Sequence, residues 1–223
     1  SATLRENVVS LARNIGYVPR SRSAAKANVS FSVTTSSDTP TLTLEAGLVC
    51  VGTTNESNYV FSIPESVTTT VSSGTASFTG IDIYQGTFLK NVFTVDGSLD
   101  QRFILNNSFI DTSTIVVKVK GISDSGEGRE YSRSDNILNI DSTSEIYLLQ
   151  EVQDEKYEIL FGDGYFGKKL EDGAVVTVSY IITDGKDGNG ASNFAFSGRV
   201  VDSLNNVVIP TNTISITTVS NAA

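Results

Sequence analysis

Asn28-Val29-Ser30-Phe31-Ser32-Val33-Thr34 places an apolar side chain at every second position, with Ser or Thr between. Successive side chains of an extended chain point to opposite faces, so a period of two marks a strand with one side buried and the other in water. The stretch decides the fold because the hydrophobic period changes there. Before it, Leu4, Val8, Leu11 and Ile15 fall at i, i+4, i+7 and i+11, one apolar stripe on a helix of about 3.6 residues per turn. Thr3 and Glu6 match a capping box, in which each side chain satisfies the other residue's free backbone N–H. Gly16 supplies a left-handed residue to end the helix, and Pro19 blocks its resumption. The spacing predicts a short helix over residues 3–16. Its stripe is too narrow for full burial, so Leu4, Val8, Leu11 and Ile15 are candidates for a protein-interface helix, lying on this chain's own sheet or on another subunit.

After the switch the alternation recurs. Leu42 and Leu44 alternate with Thr41 and Thr43, and strands are expected at 59–63, 67–71, 76–79, 81–84, 93–95, 103–105 and 115–120. Gly47, Gly52, Gly74, Gly80, Gly86 and Gly97 punctuate this series as turns. Residues 121–136 form the longest polar, Gly/Ser/Asp-rich stretch and read as a long loop or lobe boundary. Beyond it, strands are expected at 146–149, 157–161, 175–183, 199–201, 207–209 and 214–218. The expected architecture is mainly β: a short N-terminal helix followed by two antiparallel β-sandwich or barrel-like lobes. The corresponding divisions are 1–26 for helix and linker, 27–120 for the first lobe and 121–223 for the second. No fixed-period repeat argues for a solenoid or propeller.

Composition excludes several classes of chemistry. Histidine is absent from the 223 residues, which removes imidazole general bases, Ser-His-Asp and Cys-His nucleophile systems and His-ligated zinc. Cys50 is the sole cysteine and lies in the apolar run Leu48-Val49-Cys50-Val51, so it reads as a small buried hydrophobe. Net charge is −9 and unevenly spread. Residues 1–26 carry Arg5, Arg13, Arg20, Arg22 and Lys26 against Glu6 alone, a net +4 that leaves −13 on residues 27–223. An acidic body does not track nucleic-acid phosphates. The basic end is a solvated helix face or docks on an acidic neighbour. No apolar run approaches a membrane span. Methionine is also absent, so the chain is expected to be a piece of a longer protein.

Three constellations bear weighing. Phe161-Gly162-Asp163-Gly164-Tyr165-Phe166-Gly167 packs three glycines into six residues, which permits positive φ and close backbone approach, with Phe161 and Phe166 expected to anchor the loop in a core. A phosphate-cradling loop would need a helix N-terminus directly after the glycines. Lys168 to Gly173 instead reads as a turn into a strand, so the motif is taken as a structural turn. Asp184-Gly185-Lys186-Asp187-Gly188-Asn189-Gly190 fails the calcium-loop pattern, since its third and fifth positions are Lys186 and Gly188. Paired carboxylates for glycoside hydrolysis cannot be singled out among 25 acidic residues, and tryptophan platforms are absent. No catalytic, cofactor-binding or metal-ligating residue emerges.

Read in order, several stretches resemble the baseplate J-like family, the wedge ring proteins of T-even-type contractile-tailed phages. These are Leu4-Arg5-Glu6-Asn7 through Leu11-Ala12, Gly16-Tyr17-Val18-Pro19, Gln101-Arg102-Phe103, Asp111-Thr112-Ser113-Thr114, Phe161-Gly162-Asp163-Gly164 with Phe166-Gly167, and Val178-Ser179-Tyr180 leading to Gly185 and Gly188-Asn189-Gly190. Their order over residues 4–190 carries the resemblance, which is weaker over 191–223. It implies a structural protein of the virion tail baseplate, assembled in the host cytoplasm. Copies would pair as dimers within a ring around the central hub, contact other baseplate wedge proteins and rearrange when the sheath contracts. It implies no active site, no cofactor, no small-molecule substrate and no nucleic-acid or membrane partner. The rival reading is an extracellular adhesin or receptor-binding β-domain, which shares the Ser/Thr/Asn-rich strands and acidic balance. An esterase or glycosidase is disfavoured by the missing histidine.

Overall fold

The computed structural model describes residues 21–55, 57–98, 100–135, 140–152 and 155–223. The helix expected over 3–16, with Leu4, Val8, Leu11 and Ile15, lies outside the described residues. Among the described residues the chain forms sixteen strands: β1 (Lys26–Thr34), β2 (Thr41–Leu44), β3 (Gly47–Thr53), β4 (Asn58–Ile63), β5 (Val67–Ser72), β6 (Thr75–Gln85), β7 (Thr87–Thr94), β8 (Phe103–Leu105), β9 (Ile110–Lys120), β10 (Arg129–Arg133), β11 (Ile146–Val152), β12 (Lys156–Phe161), β13 (Val175–Ile182), β14 (Asn193–Phe196), β15 (Val200–Asp202) and β16 (Thr217–Ser220). A 3-10 turn sits at Lys186–Gly188. The protein is mainly β.

By compactness the chain divides into a larger unit, Arg22–Leu89 with Phe109–Ile115 and Ser179–Ala223, and a smaller one that includes Lys90–Ser108 and Val116–Val178. The units interleave along the sequence, and residues 121–136 fall inside the smaller one.

In the larger unit β1 behaves as its pattern demands: Ala27, Val29, Phe31 and Val33 are buried. β1 pairs antiparallel with β6 along one edge and with β16 along the other. β6 is the hub. Its opposite edge is shared by β5 near its start and β4 near its end, and these continue as β5–β2–β15 and β4–β3–β14. Phe31, Leu42, Leu44, Phe61, Phe78 and Ile83 join one buried cluster, so both arms cover the same core. The sequence pattern splits β6 at Gly80. The strand in fact runs through, with a β-bulge there: Val29 pairs with Ile81 but Phe31 with Phe78, and Gly80 takes φ +67°. The β5–β6 turn uses Ser73 and Gly74, both at positive φ, as the tight hairpin turns that match strand twist require.

The second sheet runs β7-β13-β9-β10-β11-β12-β8. β11 pairs antiparallel with β12, and β12 with β8. Two expectations are corrected here. The stretch 121–136 is not all loop, because β10 forms within it and buries Tyr131. Pairing is not uniformly antiparallel either. β10 pairs parallel with β11, Ser132 opposite Ile146 and Arg133 opposite Tyr147. A parallel pair needs a connection of about a dozen residues, and the sequence from 134 to 145 supplies that length. Residues 207–209 form a bridge of Val207 to Val201, not a strand.

Candidate functional site

The 161–167 turn leaves β12 and doubles back on itself within the smaller unit. Phe161 is partly buried among other rings. Its ring meets Phe103 edge-on at 5.2 Å and Tyr131 at 5.8 Å, and Phe103 in turn meets Phe93 at 5.5 Å. Such edge-to-face pairs suit the quadrupoles of aromatic rings. Phe166 does not share this anchoring. It is 42% exposed, beside Tyr165 at 71%, which corrects the expectation that both rings reach a core. The reason lies in Asp163. One carboxylate oxygen, Oδ1, accepts the backbone N–H of both Tyr165 and Phe166 at 2.9 Å, which holds those two residues at the tip of the loop. The other oxygen, Oδ2, is buried with no hydrogen-bond partner, an unfavourable placement that the turn carries.

The glycines serve two different needs. Gly164 and Gly167 take φ +91° and +85°, where a side chain is strained. Gly162 has no positive φ, but a Cβ on it would lie 2.2 Å from the Gly167 carbonyl carbon, so the close approach of two chain segments excludes any larger residue. The turn is then tied to a loop that sequence reading did not connect with it. Gly167 N–H donates to Asp141 O at 2.9 Å, and Lys168 N–H to Ser144 O at 2.8 Å. Lys168 Nζ lies 2.8 Å from Glu145 Oε1, and Arg129 lies 3.1 Å from the same oxygen. Lys168 first, and then Arg129, hold the Glu145 carboxyl below its ordinary value. These partners are about twenty to forty residues away in sequence, and no local spacing announces them.

A cavity of about 110 Å³ lies beside these groups, lined by Arg129, Tyr131, Glu145, Lys168, Lys169 and Glu171 among others. Of its lining charges, Arg129 and Lys168 are both paired with Glu145. No helix follows Gly167; the chain passes through a turn into β13. Among the described residues no group of three His, Cys, Asp or Glu side chains is placed to hold a metal.

The 184–190 segment is a structural turn in the larger unit. Gln85, absent from the sequence reading, organises it from 99 residues away. Its Oε1 accepts from Thr183 Oγ1 at 2.7 Å, and its Nε2 donates to the Asp184 carboxylate at 3.3 Å. Cys50 is fully buried, and burial pushes its thiol up to about 12, so it packs as a hydrophobe.

What the fold and its turns define is a β-rich scaffold in which Asp163, Glu145, Lys168 and Gln85 hold loops in place. Residues 89–185 match a family described as bacteriophage baseplate wedge protein gp6, third domain, and the 161–167 turn lies within that match. The chain is also 26% identical, over 227 residues, to baseplate wedge protein gp6 of Enterobacteria phage T4. That similarity covers 94% of this chain and 33% of the phage protein, so the chain spans about a third of its relative's length. Both matches are to baseplate wedge proteins, one over residues 89–185 and one along nearly the whole chain.

Proposed function

We propose that this chain is a structural segment of a contractile-tail baseplate wedge protein of the J-like, ring-forming kind, and that it acts by assembly and not by catalysis. Copies associate with one another in a ring, contact other wedge proteins and change arrangement when the sheath contracts. The observation that carries the reading is similarity to a baseplate wedge protein along nearly the whole chain. The amphipathic stripe of Leu4, Val8, Leu11 and Ile15 is the segment proposed to meet a neighbouring subunit, and the 161–167 turn the device that fixes the local fold. Electron microscopy of purified contractile tails labelled with antibody to this chain tests the assignment. Label at the baseplate is expected, and tails that never carry label would overturn it.

A further inference from the structure

We propose that the cavity walled by the 121–124 turn, β10 and residues 168–171 binds a primary ammonium group on a short alkyl chain, the chemistry of a lysine side chain or a free alkylamine. The inference does not rest on the baseplate reading and concerns only the smaller unit. Asp124 and Glu171, both in the cavity wall, bring their carboxylates together. Asp124 Oδ2 and Glu171 Oε2 each lie 3.1 Å from the position a Cβ on Gly121 would take, so the two oxygens are no more than twice that distance apart. The Asp124 carboxylate is fixed there, because the Gly121 N–H donates to its Oδ2 at 2.9 Å and the Asp124 N–H donates to Gly121 O at 3.1 Å. Like charges held this close disfavour each other's ionised form, and a cation between them relieves that cost. The chain supplies none: among the described residues neither carboxylate forms an ion pair. The basic groups of the same wall do not serve, since Arg129 and Lys168 pair with Glu145 and Lys169 is exposed.

The Tyr131 hydroxyl is a second and independent pointer. Tyr131 is 4% exposed and lines the same cavity, yet among the described residues its hydroxyl forms no hydrogen bond. A buried phenol ordinarily finds a partner. Its ring is set edge-on to Phe161, which keeps the hydroxyl from turning away to reach one. Burial raises the phenol above its ordinary value, so it stays protonated at neutral pH and keeps oxygen lone pairs for an incoming donor. Two carboxylates and a phenol oxygen make three acceptors, and an ammonium carries three N–H donors. Val119, Leu170 and Ala174 form the apolar part of the wall, against which the methylenes of the ligand lie. The cavity volume of about 110 Å³ is several times the roughly 30 Å³ of one liquid water, and exposed Lys169 and Glu171 put its mouth at the surface.

Titration of the whole chain with n-butylammonium at low salt, followed by nuclear magnetic resonance, tests the site. Binding with a Kd of about 10 mM or tighter is expected, with shifts at the Gly121, Asp124 and Tyr131 amides, and weaker binding overturns the proposal. Tetramethylammonium carries the same charge without an N–H donor and should bind at least about tenfold more weakly. A smaller difference would mean that charge alone attracts the ligand, which also overturns it. Tyr131→Phe keeps the ring beside Phe161 and loses only the hydroxyl, while Glu171→Gln keeps the shape and loses the charge. Each should weaken butylammonium binding at least about fivefold with a denaturant melt close to the parent's. A lesser loss in either folded variant overturns the assignment, and if one variant fails to fold the other decides. N-acetyl-lysine amide, titrated in parallel, separates the two sources of the ammonium. Tighter binding than butylammonium assigns the site to a partner's lysine side chain, and equal or weaker binding assigns it to a free alkylamine.

Discussion

Phe31, Phe61, Phe78 and Leu44 sit in one continuous apolar cluster in the larger unit, whereas the smaller unit buries Leu105, Val117, Ile159, Val176 and Val178, strings its rings in a file and adds a buried carboxylate pair. In the larger unit the ion pairs are superficial: Lys26 and Asp82 are each nearly half exposed, and Arg199–Glu45 likewise lies on the surface. In the smaller unit Glu158 is 4% exposed and receives both arms of Arg102 at 2.7 and 2.8 Å, plus Gln150 at 2.6 Å. Lys118–Glu127, Arg133–Asp135 and the shared Glu145 add further pairs there. Apolar burial carries no proton to titrate, while a buried carboxylate pair does, so the two respond differently to pH. The same strand-rich architecture is therefore stabilised by forces that respond differently to solution conditions.

The largest effect should come from the larger unit's core. Phe61→Ala removes a fully buried ring in edge contact with Phe194 and should destabilise by about 3–5 kcal/mol. Denaturant melts at low and at high salt should show the same loss, and a strongly salt-dependent loss would break the comparison. In the smaller unit Phe161→Ala should cost less, about 2–3 kcal/mol, because that ring is only partly buried. Gly164→Val forces a β-branched residue to φ +91° and should cost about 1–3 kcal/mol. Phe166→Ala, truncating an exposed ring, should stay within about 0.5 kcal/mol of the parent. Melts in which Phe166→Ala matches Phe161→Ala would restore the shared anchoring that the structure denies.

Glu158 sharpens the comparison further. Burial alone would raise its carboxyl, but the bonds from Arg102 and Gln150 outweigh burial and leave it below the ordinary 4.5. A group depressed in the folded state contributes stability that is present above its unfolded value and lost as pH falls through its folded value. The smaller unit should accordingly weaken below about pH 4.5. Glu158→Gln should cost about 1–2 kcal/mol at neutral pH and flatten that acid limb. Hydrogen exchange read separately for each unit as pH is lowered is the measurement. An unchanged acid slope in Glu158→Gln would remove this carboxylate from the explanation.

How much of this was legible in the sequence depended on whether the signal was local. The period-two face of β1 was, and the turn's glycines were legible as permitting positive φ, though not which of them take it. β3 was not, because Gly47 and Gly52 read as turns. Gly52 is instead a strand residue on which the Phe61 and Phe194 rings close, within 2.6–2.8 Å of where its Cβ would be. β10 was hidden because Tyr131 is its one apolar residue, and a single buried side chain makes no periodicity. At the turn, composition revealed the glycines but not their division of labour. Gly162 is required by the backbone of Gly167, and the exposure of Phe166 follows from two hydrogen bonds to Asp163, neither of which a pattern of residue types encodes.

The smallest effect is expected at the two lysines after the turn, and it separates a structural turn from a ligand loop. Lys168 pairs with Glu145, but Arg129 holds the same oxygen, so Lys168→Ala leaves that carboxylate partnered. The pair is also partly exposed, and solvent screening limits such contacts to about 0.5 kcal/mol. Lys169 is exposed, with its Cβ resting 3.6 Å from the Cβ position of Gly164 and its charge in water, so Lys169→Ala should be nearly silent. If the glycines instead cradled a phosphate, the ranking would invert: the lysine changes would abolish binding of inorganic phosphate or ATP and leave the melt untouched. Calorimetric titration of the parent and both lysine variants, run beside their denaturant melts, distinguishes the two. Phosphate or ATP binding in the parent tighter than about 10 μM, roughly −7 kcal/mol, that disappears with either lysine would make this turn a binding loop. Flat titrations with unchanged melts, alongside a destabilised Gly164→Val, leave it as the hinge pin of the smaller unit.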